Sequence, residues 1–299
     1  MSKTLAILTA DIHLRDDNPK CRKDDFLEAQ MNKLLWLGAL QKKHKCPILD
    51  AGDLFHKWKV SPFLINFALR YLPSNFFTVA GNHDLPQHNI ELLNQSGLGV
   101  LLEAGKINIL TGRTVFDNFI TYGFGWNNPI TNNKSEENLP KVALAHTMTY
   151  KGNKPYPQCT DLEAEVLLCK NDGYDLILTG HNHKCFIVQE NMRFLVNAGS
   201  LTRQTADQLE YKPAVHLWKV DDNGRYSIES EYLPIEKDVM NVDYLERKTQ
   251  TDSRMDAFVQ SISGDWDIGI SYEHNMESCM NENNVNPQVK NIILKAMGK

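Results

Sequence analysis

Five short polar signatures punctuate this 299-residue chain, each at the end of an apolar run. They are Asp11-Ile12-His13, Gly52-Asp53, Gly81-Asn82-His83-Asp84, His146 and Gly180-His181-Asn182-His183. Carboxylate, amide oxygen and neutral imidazole together are a ligand set for divalent ions such as manganese, iron or zinc. Asp11 and His13 lie two apart in a segment read as extended, which would turn both side chains to one face. Gly52 allows a sharp turn that projects the Asp53 carboxylate, whose two oxygens can bridge two ions. His181 and His183 again stand two apart. The set is large enough for two metals with open positions for water and substrate. Taken singly, a Gly-Asp is a turn and a histidine a structural residue. Their recurrence in order, each after an apolar run, favours one metal site. His44, His88, His216 and His274 lack that context and read as structural or solvent-exposed.

The elements that must position these residues follow from the runs before them. Leu5-Ala6-Ile7-Leu8, Pro47-Ile48-Leu49, Phe76 to Ala80, Val142 to Ala145 and Asp175 to Leu178 are short and nearly continuous in apolar character. Such runs are strands buried on both faces. Open α/β sheets bind ligands at the carboxyl ends of their strands, so the five signatures should meet on one rim. An amphipathic helix is expected from about Asp24 to Lys43. A second should start at Ser61-Pro62, with the hydroxyl as N-cap, and stop at Pro73. Strands are expected at 107–110, 114–116 and 119–122, then an exposed loop to Asn138 and another at 151–157. Four alternating segments, 186–189, 194–197, 214–220 and 226–232, read as antiparallel strands, the last two joined by an Asp222-Asn223-Gly224 hairpin turn.

Bulk properties narrow the class. Hydrophobic residues at 42% and charged residues at 23% are ordinary for a globular protein. The first apolar segment is broken by Asp11, too early for a signal peptide, and no run is long enough to span a bilayer. Six scattered cysteines without a Cys-x-x-Cys pair read as reduced thiols, and the expected location is cytoplasmic. The net charge of −5 is uneven. From Asp221 onward, 8 basic residues face 15 acidic ones, whereas the preceding part is slightly basic. Two bound cations would make the site itself positive, which is compatible with a phosphate substrate without demonstrating one. Composition changes after Pro234, which places a boundary near Glu236. Residues 1–235 then form a catalytic domain, and 236–299 a small acidic extension, a reduced cap or a partner-docking segment. That extension holds two apolar stripes, Met255/Phe258/Val259/Ile262 and Val289/Ile292/Ile293/Met297.

The ordered signatures resemble the calcineurin-like metallophosphoesterase superfamily over about residues 1–232. The resemblance implies an α/β fold, a four-layer α/β/β/α sandwich with two metals between the sheets. Carried over, Asp11, His13 and His183 would hold one ion, Asn82, His146 and His181 the other, and Asp53 would bridge. His83 would donate a proton to the leaving oxygen, with Asp84 orienting it. Ions about 3.5–4 Å apart lower the pKa of a shared water toward neutrality, so the implied chemistry is two-metal hydroxide attack on a phosphoester.

Protein phosphatases of this fold carry an Arg after the bridging Asp and a Glu after the Asn-His pair. Here Leu54-Phe55-His56 and Asp84 stand instead. The run Gly52-Asp53-Leu54-Phe55-His56, followed by Ser61-Pro62, is most similar to the SbcD-type DNA-repair nuclease subunit, which places His56 beside the substrate phosphate. That implies a manganese-dependent DNA exonuclease of repair or recombination (iron or zinc being alternative metals). The implied partners are DNA, an SbcC-like ATPase subunit and a second copy of the chain. The turn Ala198-Gly199-Ser200 matches a family turn near the metals, and Arg203 after it could face a phosphate or make a surface salt bridge. Two alternatives stay open: a phosphoesterase of the same fold acting on a small or cyclic nucleotide, and a non-catalytic, metal-stabilised scaffold.

Overall fold

The computed structural model describes residues 2–156, 158–241, 243, 276, 279–283 and 285–296. The chain divides into two compact units, Met1–Asn241 and Val242–Lys299. In the first unit the elements run β1 (Lys3–Thr9), α1 (Phe26–His44), β2 (Ile48–Asp50), α2 (Pro62–Tyr71), β3 (Phe76–Thr78), α3 (Gly97–Glu103), β4 (Asn108–Ile109), β5 (Arg113–Val115), β6 (Ile120–Phe124) and β7 (Lys141–Ala145). Then come β8 (Thr149–Tyr150), β9 (Leu162–Glu163), α4 (Ala164–Lys170), β10 (Leu176–Thr179), β11 (Phe186–Glu190), β12 (Arg193–Asn197), β13 (Ala214–Val220) and β14 (Tyr226–Tyr232). In the second unit the described helix is α5 (Pro287–Ala296). The stripe at 255–262, Met297 and His274 lie outside the described residues.

Two six-stranded sheets form, ordered β14-β13-β1-β2-β3-β4 and β11-β12-β10-β7-β6-β5. The strand alternation assigns each side chain to a layer. Ile7, Ile48, Phe76, Val215 and Leu217 face outward from the first sheet onto Leu34 and Leu37 of α1, Leu64 and Phe67 of α2, and Leu98 and Leu101 of α3. Their sequence neighbours Leu8 and Leu49 face inward, with Trp218, against Val142, Leu144, Leu176, Leu178 and Val196 of the second sheet. Ala143, Ile177 and Leu195 turn outward again, onto Leu167 and Leu168 of α4. Three apolar layers between four structural ones give an α/β/β/α sandwich and explain why the central strands read as continuous apolar runs. Helix ends follow their caps. Ser61 Oγ accepts from the Leu64 N–H at the start of α2, and Asp25 accepts from the Glu28 N–H before α1. Lys45 closes α1 in a left-handed conformation at φ 53°.

The four late strands form two antiparallel pairs, as expected, β11 with β12 and β13 with β14, in different sheets. β11 and β12 belong to the second sheet and β13 and β14 to the first. β12 runs parallel to β10, while β13 runs antiparallel to β1. A sequence run carries its own pairing pattern weakly, because a strand's partner can be remote in sequence, as β1 is from β13. The loop at 151–157 is bracketed by the small parallel β8–β9 pair.

Candidate metal centre

β1, β2, β3, β7 and β10 all deliver their signatures at their carboxyl ends. The loops after β1 and β2 continue side by side beyond the strands. Asp11 N–H donates to the Gly52 carbonyl at 3.0 Å, His13 N–H to the Asp53 carbonyl at 2.9 Å, and Leu14 N–H to the Leu54 carbonyl at 2.8 Å. Along these paired loops Asp11 and His13 have φ 49°, Asp53 56° and Gly52 93°. The extended conformation expected for Asp11-Ile12-His13 is therefore incorrect. Left-handed residues, not a pleat, bring the two side chains into the site. Each costs about 1–2 kcal/mol outside glycine, and the inter-loop ladder offsets that cost. Gly81 is required by proximity: a Cβ there would stand 2.0 Å from Asp53 Oδ1.

Two donor clusters result. The donor atoms of Asp11, His13 and His183 lie within 4.8 Å of one another, as do those of Asp53, His146 and His181. Asn82 Oδ1 joins the second cluster, 2.9 Å from His181 Nδ1 and 3.0 Å from His146 Nε2. Asp53 Oδ2 lies between the clusters, 3.4 Å from His146 Nε2 and 3.6 Å from His13 Nε2. The sheets are joined across this rim by the His181 N–H, which donates to both oxygens of Asp11.

These groups fit divalent ions. Donors bound to one ion at about 2.1 Å stand about 3.0–3.5 Å apart, the spacing seen here. His146 is the sharpest test. Its Nδ1 lies 2.7 Å from the Ala51 carbonyl, which can only accept, so Nδ1 carries a proton. In the neutral ring Nε2 then presents a lone pair to two oxygens, of Asn82 and Asp53. Only a proton or a cation reconciles that contact, and a carbonyl behind a ligating imidazole is the usual support for a metal ligand. His13 Nε2 likewise meets His183 Nε2 at 3.0 Å, while His13 Nδ1 is buried without a partner.

In the protein alone the electrostatics supply a proton at His146 and leave the imidazoles of His13 and His181 neutral. Burial, reinforced by Asp53, pushes Asp11 and Asp84 up to about 7, although nearby His146 pulls both down. Burial also raises Asp50 well above its usual range. Burial opposes ionisation of Asp53 too, but His146, His13 and His83 hold its carboxyl well below the ordinary value. Burial works against a charged His146, yet Asp53 and Asp11 raise it to about 9. Burial lowers His13 far below its normal value and His181 to about 4, leaving neutral imidazoles with lone pairs. Four buried carboxylates, at 0–1% exposure, are thus gathered with few countercharges.

His83 and His56 stand beside the first cluster. The His83 ring lies 4.8 Å from that of His13 and 5.6 Å from that of His56, and one nitrogen from each of the three lies within 4.8 Å of the others. His83 Nδ1 is 2.7 Å from the His56 carbonyl, so Nδ1 is the protonated position and Nε2 is left for chemistry. Burial and Arg15 lower His56 to about 4. Asp84 is expected to orient His83, and the bonds its carboxylate makes are to the backbone beside it. Its oxygens accept from the backbone N–H groups of Leu54, Phe55 and Gly81, clasping the two ligand loops together. The Arg203 expectation is also corrected: its guanidinium donates to the carbonyls of Leu209 and Glu236. The Ala198-Gly199-Ser200 turn does adjoin the site, with the Ser200 N–H donating to the His183 carbonyl.

Two neighbours of the cluster escaped sequence reading. The Trp126 ring packs 5.0 Å from that of His181 and 6.0 Å from that of His146. It follows the carboxyl end of β6, where the same edge rule applies, but tryptophan is not a metal-ligand type. His88 Nδ1 lies 3.0 Å from the Asn82 carbonyl, in a turn where Gln87 and His88 both have positive φ.

No curated protein matches the chain in sequence. Among solved structures, an archaeal phosphodiesterase is 14% identical with a TM-score of 0.41, covering 78% of this chain and 100% of its own. A candidate 5′-nucleotidase from Staphylococcus aureus in complex with α-ketoglutarate is 14% identical with a TM-score of 0.47, covering 84% of this chain; the match spans 58% of that protein. A 5′-nucleotidase precursor from Thermus thermophilus is 12% identical with a TM-score of 0.43, covering 87% and 59% respectively. The family comparison matches residues 6–185, from within β1 to just past His183, under the description calcineurin-like phosphoesterase. That span contains all five signatures and well over half of the sequence, and the chain belongs to the calcineurin-like phosphoesterase family.

Proposed function

We propose that this metal-dependent phosphoesterase is a DNA nuclease that hydrolyses phosphodiester bonds from chain ends, as an SbcD-like exonuclease does. The observation that carries the metal chemistry is the pair of donor clusters, Asp11, His13 and His183 and then Asp53, His146 and His181, each with its donor atoms within 4.8 Å of one another. Asp11, His13 and His183 would hold one divalent ion and Asn82, His146 and His181 a second, with Asp53 shared. Two such ions, manganese in this reading, supply an activated water at neutral pH and charge to stabilise the phosphoryl oxygens. The protein supplies the rest. The carbonyl of His56 fixes the His83 ring, so a protonated Nε2 can donate to the departing oxygen. The His56 imidazole would hydrogen-bond a phosphate oxygen. Asp84 maintains the spacing of the ligand loops through their backbone.

The run Gly52 to His56 and the His56–His83 pairing support DNA as the substrate. A partner is expected because the chain is net acidic at −5 and non-specific DNA affinity comes mainly from neutralised phosphates. An SbcC-like ATPase would supply the missing grip. Val289 and Ile292 of α5, at 47% and 66% exposure, are the residues offered for docking.

The test is to incubate the purified chain with manganese, end-labelled linear duplex DNA and, separately, bis-p-nitrophenyl phosphate. Release of mononucleotides from DNA ends together with ester hydrolysis is the expected outcome. Ester hydrolysis without DNA cleavage would transfer the assignment to a small nucleotide ester. Two bound metals with neither activity would make the protein a scaffold.

A further inference from the structure

A cavity of about 500 Å³ opens beside the second cluster, sharing His146 and His181 with it. Trp126, Asn127, Asn128, Tyr156 and Asp161 line its outer part. Its size suits a small organic group. Its chemistry is unlike that of a phosphate site. Among the described residues the lining contains one carboxylate, Asp161, and neither Lys nor Arg. Two aromatic side chains offer faces, and the Asn127 and Asn128 amides offer paired donors and acceptors. Trp126 is held through both backbone and ring: its backbone N–H donates to the Ala80 carbonyl at 2.8 Å, and its ring packs on His181. One Asp161 oxygen accepts from the Tyr156 hydroxyl at 3.2 Å, which leaves the other to accept from a ligand.

We infer that this cavity is a nucleoside subsite, in which the base of the nucleotide next to the scissile phosphate leaves its stack and lies against Trp126. Only an uncharged, flat, hydrogen-bonding group matches two aromatic faces, two amides and a carboxylate without a cation. A second phosphate would meet Asp161 unpaired. Asp161 favours a base edge rich in N–H donors, as guanine presents. Adjacency to His146 and His181 sets the distance: a base here belongs to the nucleotide whose phosphate lies at the clusters. The inference rests on the phosphodiesterase reading, and it requires a terminal or unpaired nucleotide, since a stacked duplex base cannot enter a cavity of this kind.

The test measures binding directly. The full chain with manganese is titrated calorimetrically with guanosine 5′-monophosphate and with ribose 5-phosphate, which lacks only the base. Base–aromatic stacking predicts at least about a 10-fold preference for the nucleotide. Trp126→Ala should reduce that preference to less than about 2-fold and Trp126→Phe should restore most of it. Tyr156→Ala, in the outer part of the lining and outside both donor clusters, should reduce it partially. Equal affinity of the wild type for the two ligands, or a preference untouched in both alanine variants, would overturn the subsite. Hydrolysis of methyl p-nitrophenyl phosphate, which has no base, reports the phosphodiesterase reading separately, so its loss in the wild type would fault that reading instead. Two substrate arms identify the source of the base. Faster cleavage of duplexes with unpaired ends than of flush ones assigns it to DNA. Cleavage confined to a guanosine monophosphate ester assigns it to a small nucleotide.

Discussion

The two sheets contribute opposite chemistry to one rim. The first brings the buried carboxylates Asp11, Asp50, Asp53 and Asp84, with Asp11 and Asp53 on loops of left-handed residues joined by a backbone ladder. The second brings His146, His181 and His183, imidazoles without a carboxylate. Burial, compounded by repulsion from Asp53, is why Asp11 and Asp84 are displaced to about 7 in the protein alone. The imidazole half relieves only part of that charge. Cations at the seam would satisfy both halves at once and fasten one sheet to the other.

The comparison breaks most visibly at Asp53, the group that faces both clusters. Asp53→Asn keeps the volume and one acceptor but removes the charge shared between the halves. Metal content should fall from two equivalents per chain toward zero, and turnover should fall with it. Atomic emission analysis after gel filtration checks this, and two retained metals would rule out a shared ligand.

Next in size is His83, on the first-sheet side but outside the ligand set. His83→Ala should keep both metals and lose on the order of 10²–10⁴ in turnover, the usual weight of a general acid. A variant that loses metal together with activity would place His83 among the ligands, which its proximity to His13 and His56 makes a meaningful alternative.

A smaller effect is expected at Asp84, which separates holding the loops from binding the ions. Asp84→Asn leaves one oxygen for the three N–H groups that the carboxylate now accepts. The expected cost is on the order of 1–3 kcal/mol in denaturant unfolding, with His83 still held by the His56 carbonyl. A change in the pH–rate profile without loss of stability would return Asp84 to a role in orienting His83.

The residues at this rim were legible in the sequence because their types are rare after apolar runs and because β strands deliver them to one edge. The layers were legible for a related reason: strands buried on both faces leave uninterrupted apolar runs. The backbone that aims the ligands was not. Asp11 and His13 converge through left-handed φ values imposed by pairing with Gly52 to Leu54, some forty residues away, and no local pattern encodes that partner. The role of Asp84 was hidden likewise, since a carboxylate that clasps backbone N–H groups has the same sequence appearance as one that orients a histidine. Trp126 was missed because an aromatic residue announces packing before it announces a site.

The last expected effect, seen only as a slope against pH, lies at a polar contact between the sheets away from the metals. His216 of β13, in the first sheet, is buried, with Nε2 3.3 Å from Cys185 Sγ of the second sheet's β10–β11 loop and Nδ1 3.0 Å from Ser230 Oγ. Burial lowers its pKa to about 4, against a backbone contact at Ala198 that acts in the opposite direction. The unfolded chain binds the extra proton near pH 6.5 and the folded chain only near 4. Between those values the unfolded state therefore holds more protons, and stability is lost as pH falls from about 6.5 to about 4. The loss expected from this one group is on the order of 2–3 kcal/mol. Urea unfolding of chelated protein across that window isolates it from the metal ligands by difference: His216→Leu should flatten the pH dependence by that amount relative to wild type. An unchanged slope would mean that the folded chain does not resist protonation of His216.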